Sequence, residues 1–347
     1  VDLYASERLV PLQGHMGSRV GRAQHGTPGR QARFPFPSTP AGGGTTRMSE
    51  AQVKAHPLTV SAVIRLLRPK QWIKNAFIFV PITFARDLFT PAIALRAVAT
   101  FACFCMASSA MYVFNDLVDA EADSMHPGKR TRPIPAGQVS TAQAIALSAF
   151  LGLAALIGAF HISTQVGALI GLYVAVNVLY SLAIKQIVLL DVFAIAVGFV
   201  LRILSGAAIS TVPASRWIIL MAFFLALFLA FGKRRNELTK LGTAATEHRT
   251  VFSSYTVKTI DQMLAILIGV IIVTFSIYAV SDYSVARFGT DALVFTVPFV
   301  LYGLFRYLHL INNGDNMGDP TELLFRDKPL LATVGMWALA CILIIYA

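Results

Sequence analysis

Charge is scarce in this sequence. Of its 347 residues only 14% are Asp, Glu, Lys or Arg, whereas 56% are hydrophobic and the mean hydropathy is +0.64. A soluble domain carries about a quarter charged residues, so an ordinary soluble enzyme is excluded. Cysteine is scarce as well. The three thiols, Cys103, Cys105 and Cys341, imply no disulfide framework. On a helix Cys103 and Cys105 point about 200° apart and cannot share a metal, and none of the seven His residues forms a metal-spaced pair. No P-loop, G-x-G-x-x-G or G-x-S-x-G is present, which removes the common nucleotide and hydrolase motifs. Acid is scarcer than base, 18 against 29, for a net charge of +11. A nucleic-acid partner would need that excess interleaved with exposed polar surface. Here it lies between apolar runs, so no nucleic acid is expected.

What the chain has in quantity is apolar runs near the ~20 residues that cross a bilayer as a helix. They predict an all-α, polytopic membrane protein of nine transmembrane helices, at 70–86, 93–119, 139–161, 165–183, 187–210, 214–233, 259–281, 291–310 and 330–347. The first is short enough to be tilted or partly interfacial. Seventeen Lys and Arg, from Arg65 to Lys328, fall on one set of connecting segments against four, Arg86, Arg96, Arg216 and Arg287, on the other. The positive-inside rule then puts the N-terminus in the cytoplasm and the C-terminus outside. Residues 1–60 read as a disordered extension: Gly14 to Arg47 is rich in Gly, Pro, Arg, Ser and Thr without periodicity, and no signal-peptide core is present. Met48 resembles a natural start, so 1–47 is read as non-native to the domain, which occupies 61–347.

The chain is organised around Asn115-Asp116-Leu117-Val118-Asp119-Ala120-Glu121-Ala122-Asp123, at the cytoplasmic end of the second span. If the helix continues, Asp116, Asp119 and Asp123 fall at about 0°, 300° and 340°, on one face, and Glu121 near 140° points away. Ser108, Tyr112 and Asn115 continue that stripe into the bilayer. Carboxylates this close repel unless a cation joins them, and a hard-oxygen set suits Mg²⁺ carrying a substrate phosphate. The following turn supplies Lys129, Arg130 and Arg132, which would pair with the acids or absorb phosphate charge.

Further polar groups land on the same side. Arg65 to Asn75 is an amphipathic basic turn with an interfacial Trp72, whose Lys70, Lys74 and Asn75 face either headgroups or the mouth of a site. Tyr180 to Lys185 is a tight turn leading to Asp191. Asp191, Gly198 and Arg202 share a helix face, with the acid and base roughly 16 Å apart, too far to pair directly. Lys233, Arg234 and Arg235 end the sixth span and read either as a phosphate cradle or as a stop signal, with Lys233 and Glu237 as i,i+4 neighbours. The loop 312–328, with Asp315, Asp319, Glu322, Arg326 and Asp327, reads as solvated, or else as a cover for a polar substrate.

Nine helices with Asn115-Asp116-x-x-Asp119-x-x-x-Asp123 after the second resemble the UbiA superfamily of intramembrane prenyltransferases, over about 60–347. Arg68-Pro-Lys-Gln-Trp-Ile-Lys-Asn75, Tyr180 to Lys185 with Leu190-Asp191-Val192, and Gly232-Lys-Arg-x-x-Glu237 are more similar to its decaprenyl-phosphate phosphoribosyltransferase branch. That resemblance implies transfer of 5-phosphoribosyl from phosphoribosyl diphosphate to a polyprenyl phosphate, for arabinan cell-wall precursors, in the plasma membrane. It implies Mg²⁺ on Asp116, Asp119 and Asp123, with Lys185 and Asp191 completing the catalytic set. Lys70, Lys74, Asn75, Tyr112, Asn115, Lys129, Arg130, Arg132, Tyr180, Arg202, Lys233, Arg234 and Glu237 would bind substrate. Most of the superfamily carries a second aspartate-rich motif after the fourth helix, where Lys185 and a lone Asp191 stand here. A lysine binds phosphate as a point charge but not Mg²⁺, so the site reads as asymmetric. An aromatic prenyltransferase using a polyprenyl diphosphate, and a membrane transporter, are the alternatives. A homo-oligomer is compatible with the sequence.

Overall fold

The computed structural model describes residues 59–125, 128–241, 255–313 and 319–347. The expected disordered extension lies outside them up to residue 58, as do His126 and Asp315. The described chain is all helical. It begins with α1, Val60–Leu67, capped by the Thr59 hydroxyl and ended by Arg68 in the left-handed region at φ 51°. A positive φ is costly for a side chain this large. The Arg68 amide still closes the helix onto the Ile64 carbonyl, and Pro69, with no N–H to satisfy, starts the next segment.

That segment departs from the expected first span. Pro69–Ile78 is a 3₁₀ helix, continued by a short α2, Phe79–Phe84. At the rises of the two helix types it reaches roughly 29 Å, close to the thickness of a hydrocarbon core. Its contacts agree: Arg68 meets the C-terminal end of α3, Pro91–Val118. At the other end, Asp87 accepts from Ser210 and Thr211, just past the end of α7, Leu190–Ala207. Eight helices among the described residues are long and apolar enough to cross a membrane, against the nine expected, and this first segment is not one of them. They are α3, α5 (Thr141–Ile162), α6 (Thr164–Leu182), α7, α8 (Arg216–Leu241), α9 (Val257–Val280), α11 (Val297–Asn312, with the 3₁₀ turn Ala292–Thr296 before it) and α13 (Lys328–Tyr346). Three short helices complete the set: α4 (Ala120–Met125), α10 (Asp282–Phe288) and α12 (Pro320–Arg326).

The helices form two packed groups joined by the 3₁₀ segment. On one side α3, α5 and α6 share a core of Phe104, Ala107, Ala155, Ala159 and Ile170; on the other α7, α8, α9 and α11 share Phe199, Phe228, Leu264 and Leu310. Gly206 makes the junction possible, because a Cβ there would lie 2.0 Å from the Ile78 carbonyl oxygen. Backbone therefore packs on backbone where the 3₁₀ helix becomes α2. The outward faces stay apolar. Phe150, Leu153, Ile157 and Phe160 of α5 are all more than half exposed, a surface that suits acyl chains and not water.

Candidate active site

The acidic stretch does not continue as one helix. α3 ends at Val118, and Asp119 is its C-cap, with α4 starting anew. The three carboxylates consequently part company. Asp116, only 2% exposed, takes a two-oxygen contact from the Arg68 guanidinium at 2.6 and 2.8 Å. Arg132 bridges Asp116 at 3.0 Å to Asp123 at 2.5 Å, and Lys129 lies 3.5 Å from Asp123. Asp119 turns the other way, to the Lys185 ammonium, and accepts from Asn115 Nδ2 at 3.0 Å. Ser181 donates its hydroxyl to the Asn115 side-chain oxygen Oδ1. The single face expected from helical geometry is thus split by a helix end, and Lys185 joins the acidic cluster instead of standing apart from it. Hard oxygen donors for Mg²⁺ are present in Asn115, Asp116, Asp119 and Asp123. Among the described residues no three acids gather as a metal set, and Asp116, Asp119 and Asp123 are each paired with arginine or lysine.

Beside this cluster opens a cavity of about 840 Å³. Its polar end presents Arg68, Lys74, Lys129, Arg132, Arg202 and Lys233 against two acids, Asp119 and Glu237, with Tyr112, Asn115, Tyr180 and Ser181 between them. Its other end is apolar, walled by Phe77, Val80, Phe84, Ile203, Ile218, Phe275 and Trp337. Phe84 and Ile218 belong to the core at the opposite end of the bundle, so the cavity runs deep between the helices. Low dielectric around so many cations strengthens their attraction for an anionic group.

Other expected site residues lie behind this wall. Asp191 is fully buried, accepting from Arg234 at 2.7 Å and from the Tyr255 hydroxyl at 3.0 Å. Burial pushes that hydroxyl's pKa up to about 12. Arg234 also bonds Glu237 at 2.6 Å and Tyr180 at 3.2 Å. Successive helical positions send the basic triplet three ways: Lys233 to the cavity, Arg234 to Asp191, and Arg235 to Asp261 and the Ile311 carbonyl. The triplet is therefore no common cradle, and the partner of Glu237 is Arg234, three residues before it, where Lys233 was expected. Lys70 and Arg130 are exposed and do not line the cavity.

Arg202 does reach the cavity, 5% exposed, and none of its three hydrogen bonds goes to a carboxylate. It donates to Asn75, the Gly198 carbonyl and Tyr173, and lies 4.7 Å above the Tyr173 ring. Asn75 is fully buried and donates in turn to Cys105 and Ser108. Trp72, expected at the headgroups, instead donates its indole N–H to Ser109 at 3.0 Å.

The loop after α11 is not simply solvated. α12 places Pro320, Thr321, Leu324 and Phe325 in the cavity wall, and its N-cap Asp319 lies 3.5 Å from Lys74 and 3.6 Å from Lys233. Burial pushes the Asp319 carboxyl up, but the two ammoniums and Thr321 override it and hold it well below the usual carboxylate range. Glu322 and Arg326 pair on the surface, and Asp327 holds Arg306. Arg68 stands in the sequence only as part of the Arg68 to Asn75 motif and Asp319 only as part of the loop 312–328, and neither is among the expected site residues.

Comparison with known proteins agrees with this architecture. Residues 77–326 match the model of the UbiA prenyltransferase family. The chain is 30% identical over 306 residues to a decaprenyl-phosphate phosphoribosyltransferase of Mycolicibacterium smegmatis, covering 84% of this chain and 96% of that protein. It is 30% identical over 312 residues to one of Corynebacterium glutamicum, covering 87% and 92%. Among solved structures, a UbiA homolog from Archaeoglobus fulgidus bound to GPP and Mg²⁺ shares the fold, with a TM-score of 0.63 at 18% identity, over 82% of this chain and 100% of that one.

Proposed function

Because the chain belongs to the UbiA prenyltransferase family, we propose that it is a transferase moving a 5-phosphoribosyl group from phosphoribosyl diphosphate to a polyprenyl phosphate, with release of diphosphate. One observation carries the choice of two phosphate-bearing substrates. Six cations line the polar end of the cavity: Arg68 and Arg132 share Asp116, Lys129 and Arg132 share Asp123, Lys74 and Lys233 share Asp319, and none of the three hydrogen bonds of Arg202 goes to a carboxylate. That many charge-assisted donors at one end of a cavity match the oxygens of two phosphate-bearing substrates better than those of a single diphosphate. The proteins that share about 30% identity over nearly their whole length bear the name of this activity.

In the proposed reaction an oxygen of the lipid phosphate attacks ribose C1, the bond from C1 to the diphosphate breaks, and diphosphate leaves with its electron pair. The acceptor oxygen is already anionic, so no general base is needed and positioning carries much of the rate. Arg68, Arg132 and Lys129 would neutralise the leaving diphosphate. Asp116 and Asp123, once Arg68 and Arg132 turn from them to the diphosphate, would hold Mg²⁺ together with Asp119 and Asn115, and the ion would supply further charge neutralisation there. Lys185 would fix Asp119, and Asp191 would act from behind the wall by fixing Arg234. The apolar depth of the cavity would take the polyprenyl tail.

The protein is a multi-pass membrane protein. Its location in the plasma membrane, with the polar end toward the cytoplasm, is part of the same proposal and is supported by the Lys and Arg asymmetry. Purified protein supplied with labelled phosphoribosyl diphosphate and a polyprenyl phosphate should give a labelled lipid. No lipid product under these conditions would reject the reading.

A further inference from the structure

Two lysines from distant parts of the chain meet across the mouth of the cavity. Lys74 comes from the 3₁₀ segment and Lys233 from the cytoplasmic end of α8, and both line the cavity. Two ammoniums held near one another repel unless an anion sits between them. The anion here is the Asp319 carboxylate, at 3.5 and 3.6 Å. Those contacts are loose beside the 2.6 and 2.8 Å of Arg68 on Asp116. The Thr321 amide, 2.9 Å away, holds the carboxylate in place as the N-cap of α12. Asp319 does not itself line the cavity; it stands at the start of α12, whose Pro320 and Thr321 do, and from there meets the two cavity-lining lysines.

We propose that Lys74 and Lys233 form a second phosphate subsite of this cavity, and that Asp319 is an internal anion that occupies it until a substrate phosphate displaces it. The proposal rests on the reading that the cavity takes two phosphate-bearing substrates. A phosphate monoester brings up to two charges and three acceptor oxygens where a carboxylate brings one charge and two, so it competes with Asp319 for the two ammoniums. Asp319 thereby lowers the affinity for that substrate while keeping the two lysines together in its absence. The phosphate is either the headgroup of the lipid or the 5-phosphate of the donor.

Asp319→Asn isolates the charge, because asparagine caps a helix as well as aspartate does. Binding to the purified full chain is measured by equilibrium dialysis, separately for phosphoribosyl diphosphate and for farnesyl phosphate, a short polyprenyl phosphate. The expected result is that Asp319→Asn lowers Kd for one of them about three- to tenfold, the order of one partly exposed ion pair. Lys233→Gln should raise Kd for that same ligand and leave the other within about twofold, as expected for separate sites. The ligand that responds identifies the source of the phosphate. Unchanged or weaker binding of both ligands to Asp319→Asn, with a lower thermal midpoint, would overturn the proposal and leave Asp319 as a clasp for α12. If wild type bound neither ligand, the proposed function would fall. The subsite would then stand or fall on inorganic phosphate alone, which should bind Asp319→Asn more tightly than wild type; equal binding would overturn it.

Discussion

The Lys185 ammonium is ion-paired with Oδ1 of Asp119, the member of the acidic stretch that ends α3. Both side chains are largely buried, at 8% and 17% exposure. One lysine at the turn after α6 thus decides which way the acidic cluster divides. A double-mutant cycle tests this. Lys185→Met and Asp119→Asn should each reduce turnover, and the double variant should lose less than the sum, with a coupling of about 1–3 kcal/mol. Additive losses in turnover would mean that the two residues act independently.

Arg68 faces Asp116 with one guanidinium nitrogen within reach of both oxygens. Lysine carries the same charge as a compact, strongly hydrated ammonium on a shorter side chain, so it would not reach both oxygens from the same backbone position. Arg68→Lys should therefore keep the fold while reducing kcat/KM by about ten- to a hundredfold, corresponding to roughly 1.5–3 kcal/mol for a charge-assisted contact. Steady-state kinetics beside a thermal unfolding curve will separate the two effects. Wild-type kinetics in this variant would remove Arg68 from the site.

Gly206 is where α7 meets the 3₁₀ segment, and an added methyl would meet the Ile78 backbone at 2.0 Å. Gly206→Ala should destabilise the protein by about 1–3 kcal/mol, the usual scale of overpacking. Gly269, whose Cβ would meet nothing within 4 Å, is the control and should tolerate alanine. Equal unfolding midpoints for the two variants would refute the close approach.

At the opposite end of the bundle Asp87 accepts from Ser210 Oγ and the Thr211 amide, both at 2.7 Å. Burial raises its pKa, but these bonds, the Thr211 hydroxyl and Arg287 lower it more, so the net shift is downward. A depressed folded pKa contributes stability that is complete above the unfolded value near 3.9 and is lost as pH falls through the folded value. Thermal midpoints below about pH 4 should consequently fall less steeply for Asp87→Asn than for wild type. Parallel curves would show that Asp87 contributes nothing to acid lability.

Much of this was legible before any coordinates. Long apolar runs announce membrane helices because a bilayer leaves the backbone no other partner, and the acidic stretch at a helix end announces a site. The apolar stretch read as the first span is a 3₁₀ helix followed by a short α-helix, a difference in kind that the sequence does not show because the two share one apolar pattern over so short a length. The helical wheel puts Asp116, Asp119 and Asp123 together because it assumes a continuous helix, whereas α3 ends at Val118 and α4 begins at Ala120. Partner choice was the least legible feature. Lys233 bonds Asp319 and Arg234 bonds Asp191, contacts between residues 86 and 43 positions apart that no local spacing encodes. Asp319 reads in the sequence as part of a loop that is either solvated or a cover for a polar substrate, and its two lysine partners lie too far along the chain for spacing to name them.

The most direct measurement is product analysis with competing donors. Purified protein in lipid nanodiscs is given a polyprenyl phosphate and an aromatic acid together, with either labelled phosphoribosyl diphosphate or a labelled polyprenyl diphosphate. The account predicts a labelled phosphoribosyl lipid and released diphosphate from the first donor, and no prenylated aromatic from the second. A prenylated aromatic from the second, with no labelled lipid from the first, would contradict it.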